Sequence, residues 1–142
     1  MPTKIQRRRK DPLVKPYLKW AGGKRQLLSE IKKYLPKNLG NLRYYEPFVG
    51  AGALFFDRQP RRAVINDNNT ELILTYEVIR NHVDALIQAL NTHRALNDEA
   101  YYYQIREQDR NNEMFAELTD VQKAARLIYL NKTCYNGLYR VN

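Results

Sequence analysis

The stretch Tyr44-Tyr45-Glu46-Pro47-Phe48-Val49-Gly50-Ala51-Gly52-Ala53-Leu54-Phe55-Phe56 constrains this chain most. It reads as a strand that runs into a tight glycine turn and then into a helix. Gly50 and Gly52 lack a Cβ, so the backbone can turn sharply there and come close to a ligand. A helix that starts straight after such a turn leaves unpaired N–H groups facing whatever sits beside it. This is the layout of a nucleotide-type cofactor site on an α/β sheet. A dinucleotide fingerprint would want a third glycine near Phe55, and none is present. The pattern therefore disfavours a pyrophosphate and leaves room for a cofactor without one.

Downstream, Ala63-Val64-Ile65-Asn66-Asp67 is a short apolar run that ends in an acid. It reads as a second, parallel, buried strand. Asp67 lies 17 residues past Gly50. Cofactor-binding α/β units place an acid near that offset to accept hydrogen bonds from ribose hydroxyls. The competing role for Asp67 is that of a turn or cap residue ahead of Asn68-Asn69-Thr70. Upstream, Gly22-Gly23-Lys24 invites a phosphate-loop reading, but the motif fails. Leu18 stands where its first glycine belongs, Arg25 replaces the Ser/Thr, and Pro16 interrupts the strand that should precede it.

The rest of the chain reads as helical. Lys24 opens a helix with Leu27, Leu28, Ile31 and Leu35 on one face, stopped by Pro36 and Gly40. Residues 71–80 form another helix. Asn81 is placed to cap the next, which carries Val83, Leu86, Ile87 and Leu90 on one face. Residues 98–108 form a tyrosine-rich helix whose Tyr101, Tyr102 and Tyr103 suit packing better than base stacking. Residues 109–118 read as a polar loop. Thr119-x-x-Gln122 looks like a capping box for a helix with Val121, Ala124, Leu127, Ile128 and Leu130.

Charge adds a partner. Residues 1–25 hold nine lysines and arginines against the single acid Asp11, so nearly all of the net charge of +9 is concentrated there. Such an arm suits a polyanion, most simply nucleic acid, unless it is only a solvated tail. The lone Cys134 excludes an internal disulfide and fits a reducing cytoplasm. No secretory signal or membrane-length apolar run is visible. Tyr135-Asn136-Gly137-Leu138-Tyr139-Arg140 sets tyrosines and an arginine around a turn signal. Composition alone makes this an exposed loop, although such groups can also stack on bases and read guanine.

Four motifs in series resemble those of DNA adenine-N6 methyltransferases of the Dam/DpnM type (the D12 class). They are Lys19-Trp20-Ala21-Gly22-Gly23-Lys24, Glu46-Pro47-Phe48-Val49-Gly50-Ala51-Gly52, Ile65-Asn66-Asp67 and Tyr135-Asn136-Gly137-Leu138-Tyr139-Arg140. They fall in the family's order and spacing over residues 16–142. The resemblance implies an α/β, Rossmann-like, S-adenosylmethionine-dependent methyltransferase fold that modifies adenine in double-stranded DNA. It assigns Trp20 and Lys24 to enclosing S-adenosylmethionine, Gly50 and Gly52 to passing beneath its methionine part, and Asp67 to its adenosine end. Phe48 joins this cofactor set, and Glu46 supports the turn or the cofactor's ammonium. Lys19, Tyr135, Asn136, Leu138 and Arg140 are implied DNA contacts. No metal is implied, and the implied setting is a bacterial or phage-type cytoplasm.

The chain also departs from that family. It has no Asp-Pro-Pro-Tyr motif, which supplies the catalytic carboxylate and carbonyl, so no catalytic residue is assigned. Only two strands are convincing where the family's sheet has seven. The expectation is an amino-terminal half, truncated or one part of a split enzyme, poorly stable and inactive alone. Its expected organisation is a basic arm at 1–15, a cofactor part at 16–95, and the helical start of a recognition region at 96–142. The alternative is a non-catalytic, basic DNA-binding fragment. A different Rossmann-like methyltransferase, acting on RNA or a small molecule, is disfavoured by the Lys19–Lys24 and Tyr135–Arg140 motifs.

Overall fold

A computed structural model of the chain describes residues 10–39 and 41–135. These fall into two compact units. One comprises the residues up to Pro16 together with Gly22–Asn66; the other comprises Tyr17–Ala21 together with the residues from Asp67 onward.

The first unit holds a 3-10 turn at Lys24–Leu27, α1 (Leu28–Tyr34), β1 (Tyr44–Glu46), α2 (Ala53–Arg58) and β2 (Ala63–Ile65). The strands pair in parallel, with Tyr44 opposite Ala63 and Glu46 opposite Ile65. The regular part of β1 ends at Glu46, whose carbonyl accepts from Asn66 N–H at 2.9 Å. The Val49 N–H still reaches the Asn66 carbonyl at 2.8 Å, carrying the pairing into the turn. The apolar interior is small: Val49, Ala51, Ala53 and Leu54. Lys32 of α1 meets Asp57 of α2 at 2.8 Å. Burial alone would raise the Asp57 carboxyl, but the Lys32 hydrogen bond and the charges of Lys10, Lys32 and Arg58 hold it below its ordinary value.

Two expectations need correction here. β2 is not buried: Val64 remains 55% exposed, as does Tyr45 of β1 at 61%. Among the described residues the sheet has two strands only, so nothing there covers that face. Nor does α1 bury its apolar stripe. Leu27 falls in the 3-10 turn, where the 3.6-residue spacing does not apply, and it is exposed.

The second unit is helical: α3 (Thr70–Asn81), α4 (Val83–Leu96), α5 (Glu99–Arg106), a 3-10 turn (Glu107–Arg110), α6 (Asn112–Glu117) and α7 (Asp120–Thr133). α7 packs on α3, α4 and α5. Val78, Leu86, Ala124 and Ala125 form one buried cluster, and Ile105, Tyr129 and Leu130 another. The capping box is present: the Thr119 hydroxyl accepts from Gln122 N–H at 3.2 Å and the Gln122 side chain from Thr119 N–H at 2.8 Å. Asn81, expected as a cap, is instead the last residue of α3, and His82 flanks α4 with no side-chain cap. The expected loop at 109–118 contains α6, whose start is capped by Asn111. A two-turn polar helix has too few apolar residues to show a period, so local capping was the only available signal. Tyr101 and Tyr102 pack against the second cluster, while Tyr103 stays exposed.

Among the described residues no helix is long and apolar enough to cross a membrane, and no group of three or more His, Cys, Asp or Glu is placed to hold a metal ion.

His93 of α4 ties three helices together. Its ring stacks on Tyr129 of α7 with centroids 4.9 Å apart, and Nδ1 lies 2.8 Å from the Tyr101 hydroxyl of α5. Burial lowers its pKa from the ordinary 6.5. The unfolded chain then takes up this proton at a higher pH than the folded one, so His93 favours folding above its unfolded pKa and loses that contribution as pH falls toward the folded value. Glu71, raised mainly by burial, gives the opposite slope over part of the range. The test is therefore a difference: between about pH 7 and pH 5 the wild-type thermal midpoint should fall more steeply than that of His93→Gln. Parallel curves in circular dichroism melts would refute this.

Candidate functional site

The glycine turn is built as the residue types dictate. Gly50 has φ 52° and Gly52 φ 77°, both in the left-handed region that side chains disfavour. Gly52 closes the turn by donating to the Val49 carbonyl at 2.9 Å and starts α2 by accepting from Phe56 N–H at 2.8 Å.

Beside the turn lies a buried charge. Glu46, at the end of β1, is 5% exposed. Its Oε1 sits 3.0 Å from Lys24 Nζ, and its Oε2 accepts from the Tyr44 hydroxyl at 2.5 Å. Lys24 Nζ donates again to the Phe48 carbonyl inside the turn. A carboxylate removed from water needs a counter-charge and donors on both oxygens, and this arrangement supplies them. Burial, and then the hydrogen bond and charge of Glu46, push the Tyr44 phenol up, so it remains a donor at neutral pH. Lys24 thus links the Glu46 carboxylate to the turn at Phe48. The Phe48 ring stands 71% exposed.

In the helical unit, Tyr17–Ala21 is pinned at several points. Leu18 is buried. The Tyr17 ring meets Tyr76 of α3 edge-on at 5.4 Å. The Lys19 backbone bonds the buried Asn131 of α7 twice: its N–H donates to Oδ1 at 3.0 Å and its carbonyl accepts from Nδ2 at 2.7 Å. Lys19 is exposed and Trp20 half-buried. Asp67 is also half-buried, and its Oδ1 accepts from Asn69 N–H at 3.1 Å. Asn69 in turn caps α3 by accepting from Leu72 N–H at 2.9 Å. So Asp67 does shape the turn before α3. Tyr135, just past the end of α7, is 90% exposed. Asn136, Leu138 and Arg140 lie outside the described residues.

Lys24, Glu46, Phe48, Gly50 and Gly52 thus share one unit, while Lys19, Trp20, Asp67 and Tyr135 belong to the other. Sequence reasoning missed Tyr44, Arg126 and Asn131. For Asn131 a signal existed: it extends the apolar stripe of Ala124, Leu127 and Ile128 by one further turn, where a polar group needs a buried partner.

Comparison with known proteins points one way. Residues 20–142 match the family model of the D12 class N6 adenine-specific DNA methyltransferases. The chain is 46% identical over 143 residues to Type II methyltransferase M.MjaIII of Methanocaldococcus jannaschii, covering 91% of this chain and 49% of that protein. It is 42% identical over 129 residues to Type II methyltransferase M1.LlaDCHI of Lactococcus lactis subsp. cremoris, covering 91% and 44%. It is 38% identical over 132 residues to the DNA adenine methylase of Escherichia coli K12, covering 89% and 43%. The chain spans about half the length of the curated relatives it matches.

The turn geometry gives a direct test. Gly52→Ala forces a Cβ into a left-handed position and should lower stability by about 1–2 kcal/mol in urea unfolding. An unchanged midpoint would mean that the turn does not take this conformation.

Proposed function

Because the chain belongs to the D12 class of N6 adenine-specific DNA methyltransferases, we propose that it carries the cofactor-holding part, and the start of the target-recognition part, of an enzyme that methylates adenine N6 in duplex DNA. The observation that carries this reading is the β1–α2 turn, with left-handed Gly50 and Gly52 braced by the Lys24–Glu46–Tyr44 network. A parallel strand pair with a glycine turn at the carboxyl end of its first strand is also how a Rossmann-like sheet opens a ligand site. We read this unit as the beginning of such a sheet.

The residues suit S-adenosylmethionine. Two glycines keep the turn free of side chains, Phe48 offers an exposed ring face, and Asp67 offers an acceptor one residue after Asn66, whose carbonyl pairs with the turn. When bound, S-adenosylmethionine supplies a methyl group activated by its sulfonium. The chain's own part is to bind and to orient. Trp20 and Lys24 would enclose the cofactor, and Gly50 and Gly52 would let the backbone run beneath it. Asp67 would accept from the ribose hydroxyls. Glu46 would keep the turn rigid, so that little ordering is left for the moment of binding. Lys19, Tyr135 and Arg140 would contact DNA, from which the target adenine must be flipped at a cost of a few kcal/mol. The sequence contains no Asp-Pro-Pro-Tyr, so hydrogen-bond acceptors for N6 must come from residues other than these. Methyl transfer by this chain alone is therefore not expected.

A second reading, a non-catalytic DNA-binding fragment, is favoured by the concentration of positive charge in residues 1–25. Calorimetry with S-adenosylmethionine separates the two. The wild-type chain should bind, and Trp20→Ala and Asp67→Asn should each weaken binding roughly tenfold or more. Asp67→Asn keeps the oxygen that accepts from Asn69, so helix content should not change. Strongly salt-dependent duplex binding without any cofactor binding would favour the second reading instead.

A further inference from the structure

Asn131 makes an arrangement that neither the motifs nor the comparisons assign. It is 1% exposed, near the end of α7, in a helix face that is otherwise apolar. Its amide is spent on one distant residue, bonding both the N–H and the carbonyl of Lys19 across 112 positions of sequence. A carboxamide can do this because it presents an acceptor and a donor side by side at any pH. The two backbone groups also fix which way the amide points. Four residues further on, Tyr135 leaves the end of α7 exposed.

We infer that Asn131 is a positioning residue: its two bonds clamp the Lys19–Trp20 segment to α7, so that Lys19 and Tyr135 are presented to a DNA duplex as one rigid body. The clamp stands on geometry alone; its consequence for DNA rests on the function proposed above. A rigid pair of contacts loses less conformational freedom on binding than two independent ones. Loosening the clamp should therefore weaken duplex binding even though Asn131 itself touches no ligand.

The test exploits chemistry and a built-in reporter. Trp20 is the sole tryptophan, one residue from the clamp. Asn131→Asp preserves volume but removes the donor, setting two oxygens against each other. Burial raises a carboxyl pKa, and a protonated carboxyl regains an O–H donor. At about pH 8 this variant should raise acrylamide quenching of Trp20 by about twofold and weaken duplex binding by roughly tenfold. Both should return toward wild type at about pH 5. Asn131→Leu, similar in size but unable to hydrogen-bond, should show the defect at both pH values. A purely volume-filling role would give no such pH recovery.

In the unmutated chain, hydrogen exchange offers a measurement that does not depend on variant folding: the peptide over residues 17–21 should exchange as slowly as α7. Free exchange there, or Trp20 quenching that neither variant alters, would overturn the inference. A wild-type chain that ignores duplex DNA would instead overturn the functional reading and leave the clamp standing. Weakened duplex binding in Asn131→Asp that persists at about pH 5 while Trp20 quenching recovers would overturn the link to DNA.

Discussion

The helical unit depends on one buried cation. Arg126 lies in the middle of α7 and is 1% exposed. Burying a guanidinium is costly unless nearly every N–H finds an acceptor. Here Nε donates to the Ile105 carbonyl and Nη2 to the Arg106 carbonyl, each at 3.0 Å. Nη2 also reaches Asp109 at 3.0 Å, and Nη1 lies 3.9 Å from Glu71. The Phe115 ring covers the group at 5.2 Å. The end of α5, the following 3-10 turn, α3 and α6 are thereby tied to a single side chain. Two of its acceptors are carbonyls at the end of α5.

This fixes what α7 can do. A helix held by a satisfied buried charge and by Ala124, Leu127 and Leu130 at full burial cannot slide without breaking several bonds together. It is a firm base from which Asn131 reaches the Lys19 backbone. The sheet unit is different. It buries little apolar surface, and a two-stranded parallel sheet is weak by itself. Its order rests on local devices: the glycine turn, the Glu46–Lys24 pair and the Lys32–Asp57 link. The Glu46 carboxylate is better shielded from water than that of Asp57, and the partly exposed Lys32–Asp57 pair is worth little.

The sequence disclosed what is decided locally. The Thr119/Gln122 box involves residues three apart, and the Glu46–Gly52 turn is dictated by where a Cβ can stand. The parallel pairing of the two strands was also readable, because their short apolar runs flank a helix. Burial was less readable. Val64 looks like a core residue, but its exposure depends on what else the sheet contains. Least readable were the long-range polar contacts. Nothing near Lys19 announces that its backbone will be bonded by Asn131, since any exposed segment could have used water instead. Arg126 likewise looks like an ordinary helix-surface charge until the end of α5 is brought beside it. Asp67 combines both situations: its turn role is local and visible, whereas a ligand role depends on chemistry that the turn does not decide.

The basic segment also changes meaning once the ion pairs are placed. Counted along the sequence, its positive charges are equivalent, and each would contribute to the attraction for a polyanion. In the fold they differ. Lys24 is held between Glu46 and the Phe48 carbonyl, so its charge is largely neutralised before any partner approaches. Lys10 lies 3.7 Å from Asp57 and is weakened in the same way, though half its side chain remains in water. Lys19 is bound only through its backbone clamp in the described contacts, and its side chain reaches solvent. Salt dependence of DNA binding counts phosphates neutralised by cations that reach them, at roughly 0.9 per phosphate. The formal charge of the segment therefore overstates its electrostatic reach. Lys24 acts on the architecture of the turn, whereas Lys15, Lys19 and Arg25 of the same segment are exposed to solvent.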